Sequence, residues 1–139
     1  MKKYLSQKYI SPVTHNALRI VTGLLFWQHG AQKILGWLGS RGAAEPPSLF
    51  WWAGILELVG GGLIALGLFT RPVAFLLAGE MAVAYFRSHA PRGFWPIMNG
   101  GELSALYCFI YLWFVAHGGG SFSLDGLLAR RRGGQAEGS

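Results

Sequence analysis

The chain has 139 residues, of which 52% are hydrophobic and 13% charged, and its formal net charge is +6. This length fits one domain, and the apolar share exceeds that of a soluble globular protein, so part of the surface must face something other than water. The basic residues lie at the ends and in loops without an aromatic-interleaved stripe, which argues against nucleic acid and favours anionic lipid headgroups as partners.

Four apolar stretches approach the roughly 20 helical residues that a membrane crossing requires. In chain order they are Ala17–Leu38, Leu49–Phe69, Pro72–His89 and Asn99–His117. A basic segment, residues 1–16, precedes them, and a polar tail, residues 118–139, is predicted to be partly disordered. The predicted fold is therefore all-α, a polytopic membrane protein with a four-transmembrane-helix bundle over residues 17–117.

A soluble four-helix bundle would give the same number of apolar helices. It would need a polar outer face on every helix, yet the stretches Leu49–Phe69 and Pro72–Phe86 each contain a single charged residue. Neither helix could present such a face to water. We therefore expect lipid around the bundle.

The distribution of lysine and arginine predicts the orientation, because cytoplasmic loops carry an excess of these residues. The richer side holds Lys2, Lys3, Lys8, Arg71, Arg130, Arg131 and Arg132, and the poorer side holds Arg41, Arg87 and Arg92. Both termini are accordingly predicted to be cytoplasmic. By the same logic, Arg19 in the first span could extend toward the cytoplasmic interface.

Three of the acidic residues, Glu57, Glu80 and Glu102, fall inside the predicted spans. An ionised group at the centre of a lone membrane helix costs about 2.5 to 3.5 kcal/mol, so these side chains should face the bundle interior. Counting about 1.5 Å per helical residue places Glu57, Glu80 and His29 near the middle of their spans. These three are the candidate catalytic groups.

A second polar layer is predicted nearer the outer side, where Lys33 matches Glu102 in depth. The candidate ligand-binding groups are Gln32, Lys33, Glu102 and Tyr85, with Tyr107 as a further hydroxyl donor. The candidate structural polar groups are Arg71 and Asn99. The residues Gly54, Glu57 and Gly61 share one helical face, which would let a neighbouring backbone approach Glu57 closely.

These polar residues also have structural readings. Glu57 and Glu80 could each be paired with His29, Lys33 or a tyrosine and simply fix the register of the bundle. The spacing of Asn99 and Glu102 fits a capping box, which would explain Glu102 without any ligand.

Two kinds of chemistry are not expected from this chain alone. The ExxH pair of di-iron bundles is absent, so no protein-held metal is predicted. Cys108 is the only cysteine, which excludes an intramolecular disulfide and a dithiol pair.

An ordered set of motifs resembles the DoxX family of small four-helix bacterial membrane proteins, over about residues 17–125. The motifs are HGAQK at 29–33, Glu57 with its glycines, TRP at 70–72, Glu80, and NGGE at 99–102. The resemblance implies a location in the bacterial cytoplasmic (inner) membrane. The family's polar positions correspond here to His29, Gln32, Lys33, Glu57, Arg71, Glu80 and Glu102.

The resemblance also implies a redox setting. The family takes its name from a subunit associated with a quinone-linked oxidase, and related proteins are described as thiosulfate:quinone oxidoreductase components. This chain lacks the cysteine pairs with which thiol-active relatives pass electrons to quinone, so autonomous disulfide chemistry is not expected. An unidentified redox or membrane partner protein would have to supply electrons.

Three functions remain open from the sequence. The first is a redox-associated component, and so a candidate quinone-linked oxidoreductase component, that binds a quinone or similar small amphipathic molecule in the polar interior. The second is a non-enzymatic membrane scaffold or accessory subunit of a larger complex. The third is a small-solute carrier, which four spans without an inverted repeat would support only in a homo-oligomer.

Overall fold

The computed structural model describes the backbone of residues 2–136 and the side chains of residues 11–134. All regular structure in this range is helical, which confirms the all-α prediction. The elements in chain order are α1 (Lys2–Leu35), α2 (Leu49–Leu66), α3 (Thr70–Ala84), a π-helix (Tyr85–His89), a 3-10 turn (Ala90–Arg92), α4 (Pro96–Asn99), α5 (Glu102–His117) and α6 (Leu124–Ala136).

The long helices follow the predicted spans, with shifted ends. Helix α1 begins well before Ala17 and incorporates the basic segment, whose side chains up to residue 10 lie outside the described ones. Helix α2 ends where Gly67 adopts a left-handed conformation, which glycine reaches without steric cost. Among the described residues, α2 alone is both long and apolar enough to cross a membrane by composition, and α5 is apolar but shorter.

The polar tail contains a helix that the sequence analysis did not predict. Helix α6 runs from Leu124 to Ala136, and residues 137–139 of the tail lie outside the described range. Ser123 starts it, because its hydroxyl accepts a hydrogen bond of 3.1 Å from the backbone N–H of Gly126. A serine at this position satisfies a donor that has no partner within the helix.

Helices α1 and α2 pack along their glycines, closely enough that no side chain fits between them. A Cβ atom on Gly23 or Gly30 would overlap the backbone of Ala65 or Leu58, respectively. A Cβ atom on Gly61 would lie 2.5 Å from the backbone nitrogen of Trp27. The prediction that a neighbouring backbone approaches the glycine face of α2 is thus confirmed, and the neighbour is α1.

Helices α3 and α5 form a second closely packed pair, and the core lies between the two pairs. Its buried members are Phe26, Ile64, Ala74, Leu77, Ala78, Met81, Tyr107, Tyr111 and Phe114. Helices α2 and α3 are joined by the tight turn Gly67–Phe69 but have much less contact with each other than each has with its own partner. A gap can therefore open between them away from the turn.

Arg19 does not extend to the interface as expected but is buried at 1% exposure. Its guanidinium donates hydrogen bonds to the carbonyl oxygens of Gly119 at 2.7 Å, Ile64 at 2.8 Å and Phe122 at 2.8 Å, and to that of Ala65. The reason is the end of α2 and the loop after α5, which offer carbonyl groups without helical partners. The planar fork of arginine can reach several of them at once.

Asp125 fastens α6 to the start of α3. Its two carboxylate oxygens accept hydrogen bonds of 2.9 Å from the backbone N–H groups of Phe69 and Thr70. Partial burial pushes the pKa of Asp125 upward, but these hydrogen bonds and the nearby charge of Arg19 outweigh it, so the pKa lies below its ordinary value. The carboxylate also suits the positive end of the α3 dipole.

The outer surface of the bundle is strongly apolar. Large hydrophobic side chains are exposed on every long helix, among them Leu24 on α1, Val59 on α2, Phe75 on α3 and Phe109 on α5. Contiguous exposure of this kind marks a surface that contacts lipid or protein rather than water.

Two separate glycine-to-alanine variants should distinguish the effect of close helix packing on stability from the effect of helix propensity. Gly61→Ala should lower the free energy of unfolding by about 1 to 3 kcal/mol, because the added carbon overpacks the contact with α1. Gly79→Ala is the matched control, since nothing lies within 4 Å of a Cβ atom there. It should be neutral or stabilising by up to about 1 kcal/mol. Thermal unfolding in detergent measures both, and equal effects would contradict the close contact.

The hydrogen bonds of Asp125 predict a pH-dependent contribution to stability. Because its pKa is lower in the folded protein, the stabilisation is complete above the ordinary pKa and is lost as the pH falls through the lowered one. Asp125→Asn should therefore unfold at a lower temperature than the wild type at neutral pH, with the difference shrinking in acid. Glu45→Gln, in the exposed loop after α1, should show no such difference.

Candidate functional site

A cavity of about 690 Å³ lies where α2 and α3 diverge. It is formed by the first half of α2, the second half of α3 and the π-helix, with side chains from α1 and α5 completing its wall. The polar side chains that line it are His29, Lys33, Glu57, Glu80, Arg87, Ser88, His89, Ser104 and Tyr107. Its size is within the range typical of small-molecule sites.

Lys33 and Glu57 form an ion pair in the wall of this cavity. The Nζ atom of Lys33 lies 2.6 Å from Oε1 of Glu57. Glu57 is buried at 3% exposure, and its other oxygen, Oε2, has no hydrogen-bond partner among the described residues. The Lys33 ammonium also lies 4.7 Å from the ring centroid of Phe50. This one cation from α1 therefore contacts both the carboxylate of Glu57 and the ring of Phe50 on α2.

Glu80 enters the cavity from α3 with both carboxylate oxygens buried. Neither oxygen has a hydrogen-bond partner within the described part of the chain. The charged groups that interact with Glu80 are Glu57, which repels its ionised form, and Lys33, which attracts it. An unsatisfied buried carboxyl group is costly, so such a group in a cavity wall indicates a place where a ligand or water binds.

Two tyrosines from α5 lie next to each other, Tyr107 in the cavity wall and Tyr111 in the core behind it. The rings of Tyr107 and Tyr111 are stacked with centroids 6.1 Å apart, and the ring of His29 meets Tyr107 edge-on at 6.4 Å. The Tyr111 hydroxyl is fully buried and has no hydrogen-bond partner in the described part of the chain. Tyr111 was not among the predicted polar residues, although its spacing of four from Tyr107 places both on one helical face.

The structure brings His29, Glu57 and Glu80 to one cavity, as the depth estimate predicted. The depth match of Lys33 with Glu102 is not a contact, because Glu102 is exposed on α5. Lys33 bonds Glu57 instead, which is one of the structural pairings that the sequence allowed. Glu102 is not an N3 residue of a capping box either, since it is the first residue of α5 and the N-cap is Gly101.

Gln32 and Tyr85 do not line the cavity, contrary to their assignment as ligand-binding groups. The side-chain amide of Gln32 donates instead to the carbonyl oxygen of Leu38 at 2.9 Å, in the loop that follows α1. Tyr85 contacts Asn99, whose amide nitrogen lies 3.4 Å from the tyrosine hydroxyl. Gln32 and Lys33 are adjacent in the HGAQK motif, yet only Lys33 lines the cavity.

Asn99 and Arg71 have structural contacts in the described chain. Asn99 is buried, donates to the carbonyl oxygen of Gly93 at 2.9 Å and accepts from the backbone N–H of Gly101 at 2.8 Å. Arg71 donates to the carbonyl oxygen of Val115 at 3.1 Å near the end of α5. The bonds of Asn99 hold the segment before α5, and the bond of Arg71 joins the start of α3 to the end of α5.

The π-helix places Arg87, Ser88 and His89 in the cavity wall, and the sequence analysis assigned none of them to the site. A π-helical turn shifts the phase of the residues that follow it, so α-helical counting cannot place these side chains. His89 is fixed through a contact of 3.2 Å between its Nδ1 atom and the carbonyl oxygen of Asn99. No group of three or more potential metal ligands occurs among the described residues, and the absence of a metal stays a prediction.

Breaking the Lys33–Glu57 pair should destabilise the protein. Lys33→Met leaves a buried carboxylate without its counter-ion, which we expect to lower the free energy of unfolding by about 3 kcal/mol. The double variant Lys33→Met with Glu57→Gln should recover much of that loss, because no uncompensated charge remains. Thermal unfolding of the single and double variants measures the coupling, and additive losses would contradict a direct pair.

Comparisons with known proteins agree with the resemblance. The DoxX family model matches residues 15–90. An uncharacterized protein of Haemophilus influenzae is 48% identical over 115 residues, covering 78% of this chain and 85% of its own length. A second one from that organism is 28% identical over 143 residues, covering 94% of this chain and 93% of its own length.

A Bacillus subtilis protein named "Putative oxidoreductase CatD" is 38% identical over 65 residues, which cover 44% of this chain and 48% of that protein. No solved structure gives a significant match. The family model covers more than half of the chain, and the first relative is similar over most of both lengths. This chain therefore belongs to the DoxX family of membrane proteins.

Proposed function

We propose that this protein is a redox-associated component of the bacterial inner membrane that binds a quinone, or a similar small amphipathic molecule, in the cavity between α2 and α3. The observation that supports this most is the pair of buried, unpartnered oxygens of Glu80 in the wall of a cavity with an apolar rim. Such a site suits a ligand with a polar head and an apolar body.

The polar wall fits a quinone head group. Lys33 and His29 offer nitrogen donors, and Tyr107 offers a hydroxyl, from helices on two sides of the cavity. A quinone accepts electrons together with protons when it is reduced. In the proposal, Glu80 holds or releases a proton at its carboxyl group, while Lys33 donates a hydrogen bond to Glu57 in the same cavity wall.

The rim of the cavity fits an apolar tail. Leu56 from α2 and Leu76 and Val83 from α3 line the cavity and are at the same time 40%, 58% and 56% exposed. They connect the cavity with the apolar outer surface of the bundle. A tail could therefore leave the cavity between α2 and α3 and remain in the lipid, without exposing its apolar carbon atoms to water.

The proposal includes four membrane crossings with both termini in the cytoplasm. It is supported by the exposed apolar side chains on all four long helices and by the π-helix, which extends α3 as far as His89. Together, Thr70–His89 reach the roughly 20 residues that a crossing requires. Arg71 and the exposed Arg130, Arg131 and Arg132 would then lie on the cytoplasmic side.

A partner protein supplies the electrons in this proposal. The chain has one cysteine, Cys108, and thus no dithiol pair of its own. The similarity to a protein named as an oxidoreductase supports a redox role, although it covers less than half of this chain. The exposed apolar surface offers room for such a partner, or for a second copy of the chain, within the membrane.

A membrane scaffold or accessory subunit without activity is the second candidate. The Lys33–Glu57 pair favours it, because a satisfied buried pair can fix helix register without binding anything. It leaves the carboxyl group of Glu80 unexplained. A folded Glu80→Gln variant that loses function would therefore count against the scaffold.

Filling the cavity tests the proposed function. Protein purified in mild detergent from bacterial membranes should carry quinone that solvent extraction and chromatography detect. Ala53→Trp places a large side chain in the cavity wall and should reduce bound quinone about tenfold or more, equivalent to at least about 1.4 kcal/mol.

Ala116→Trp is the control, because Ala116 is exposed on α5 and does not line the cavity. It should retain as much quinone as the wild type. Quinone that is absent from the wild type, and that also fails to bind when added, would refute the proposal. If the two tryptophan variants retained equal amounts of quinone, the binding site would not be this cavity.

A further inference from the structure

We propose that the cavity holds an anionic group of its ligand at the end formed by the π-helix, where Arg87, Ser88 and Ser104 make up an anion subsite. The ligand is then an amphipathic acid, that is, a molecule with a carboxylate or phosphate group on an apolar body. This inference rests on the proposed function and specifies which class of amphipathic molecule the cavity takes.

Arg87 is the basic residue of the cavity wall that has no acidic partner. It lines the cavity and is exposed, and it forms neither an ion pair nor a hydrogen bond with any described residue. Lys33, the other lysine or arginine of the wall, is already bonded to Glu57. An anionic group of a ligand would therefore meet an unopposed guanidinium group. The planar fork of this group can hold a carboxylate or a phosphate through two hydrogen bonds.

Two hydroxyl groups supply further donors at the same end of the cavity. Ser88 follows Arg87 on the π-helix, and Ser104 lies in the first turn of α5. Both line the cavity, and neither hydroxyl has a hydrogen-bond partner in the part of the chain that the structure describes. The contact of His89 with the carbonyl oxygen of Asn99 holds the π-helix against the segment that precedes α5. The subsite is thus formed from two elements that are fixed to each other.

The π-helix allows consecutive residues to face the ligand. Residues 87–89 all line the cavity. In an α-helix the first and third of them would point in nearly opposite directions, because successive side chains are about 100° apart. A π-helical turn contains more residues, so successive side chains stay closer in direction, and such turns within helices are frequent at functional sites. The irregular turn therefore presents Arg87 and Ser88 to the cavity together.

The other donors of the wall are not part of the anion subsite. The Nδ1 atom of His89 lies 3.2 Å from a carbonyl oxygen, which can only accept, so Nδ1 carries a hydrogen and Nε2 of the neutral ring is an acceptor. His29 and Tyr107 meet edge-on with ring centroids 6.4 Å apart, and Tyr107 belongs to the buried core. These two residues remain available to the polar head of the ligand.

The acidic groups of the wall lie away from Arg87. Glu80 precedes it by seven positions along α3 and the π-helix, which corresponds to roughly 10 Å at about 1.5 Å per residue. Glu57 is bonded to Lys33. Glu102, near the start of α5, is exposed, does not line the cavity and forms no ion pair within the described residues. A ligand about as long as this separation could place its polar head near Glu80 and its anionic group at Arg87.

A matched pair of aromatic molecules tests the anion subsite. The probe 6-hydroxy-2-naphthoate has a hydroxyl group at one end and a carboxylate at the other, and its methyl ester lacks the charge. Each is titrated into the full-length protein in phosphatidylcholine nanodiscs, and equilibrium dialysis against empty nanodiscs gives the dissociation constants. Arg87→Gln should weaken binding of the acid at least about fivefold, equivalent to about 1 kcal/mol, because an exposed ion pair is lost. It should leave binding of the ester within about twofold.

Arg92→Gln is the matched control. It removes the same charge from an exposed residue of the 3-10 turn after the π-helix, outside the cavity, and should leave both affinities unchanged. Equal losses for the acid and the ester in Arg87→Gln would show that Arg87 shapes the cavity without binding an anion. Equal losses of acid binding in the two arginine variants would show an effect of overall charge. Either result would overturn the inference.

Two further measurements identify the occupant and separate this inference from the proposed function. Phosphatidylglycerol in the nanodiscs should weaken acid binding more in the wild type than in Arg87→Gln if a lipid phosphate occupies the subsite, and equally in both if a small acid does. Decylubiquinone is titrated in parallel. Binding of decylubiquinone but of neither naphthalene probe would overturn the inference and leave the proposed function intact. Binding of none of the three would refute both.

Discussion

The contact between α1 and α2 determines the rest of the structure. Glycines on both helices bring the backbones together so closely that a single added methyl group would overlap the opposite chain. This contact fixes the axial register of the helices, and the register places Lys33 beside Glu57. A lysine on a more distant helix could not hold the carboxylate at 2.6 Å without stretching across the core. Glycine therefore has an electrostatic role here as well as a packing role.

The cavity is a consequence of unequal packing among the helices. Each helix of the hairpin formed by α2 and α3 is committed to a different neighbour, α1 or α5, and the two separate beyond their tight turn. Apolar side chains are spread over the outside, whereas carboxyl and hydroxyl groups collect beside the gap. This distribution is the reverse of that in a soluble bundle. It collects the polar groups that could bind a ligand at one place.

The sequence predicted those features that depend on regular helical counting. Helix type, the glycine face of α2 and the common depth of His29, Glu57 and Glu80 all follow from a rise of about 1.5 Å per residue. Depth alone does not specify which helices are neighbours, so Lys33 was matched with Glu102 although α1 packs against α2 and brings it to Glu57.

Other features could not be predicted because they depend on irregular backbone. The π-helix changes the phase of the residues after Ala84, and the composition YFRSH carries no signal for it. Arg19 looked like an interfacial residue because its partners are carbonyl groups, which every sequence contains and no motif marks. Helix α6 was missed for a similar reason, since Asp125 is bonded to backbone N–H groups of α3.

The position of Arg19 sets an order of assembly during synthesis. Its guanidinium lies in the first helix, yet it bonds to the carbonyl oxygen of a residue that follows 100 positions later. Until the ribosome has added Gly119 and Phe122, the first helix carries a cation that lacks two of its final acceptors. The nascent bundle must keep this group hydrated or paired elsewhere until the loop after α5 closes and supplies the last two acceptors.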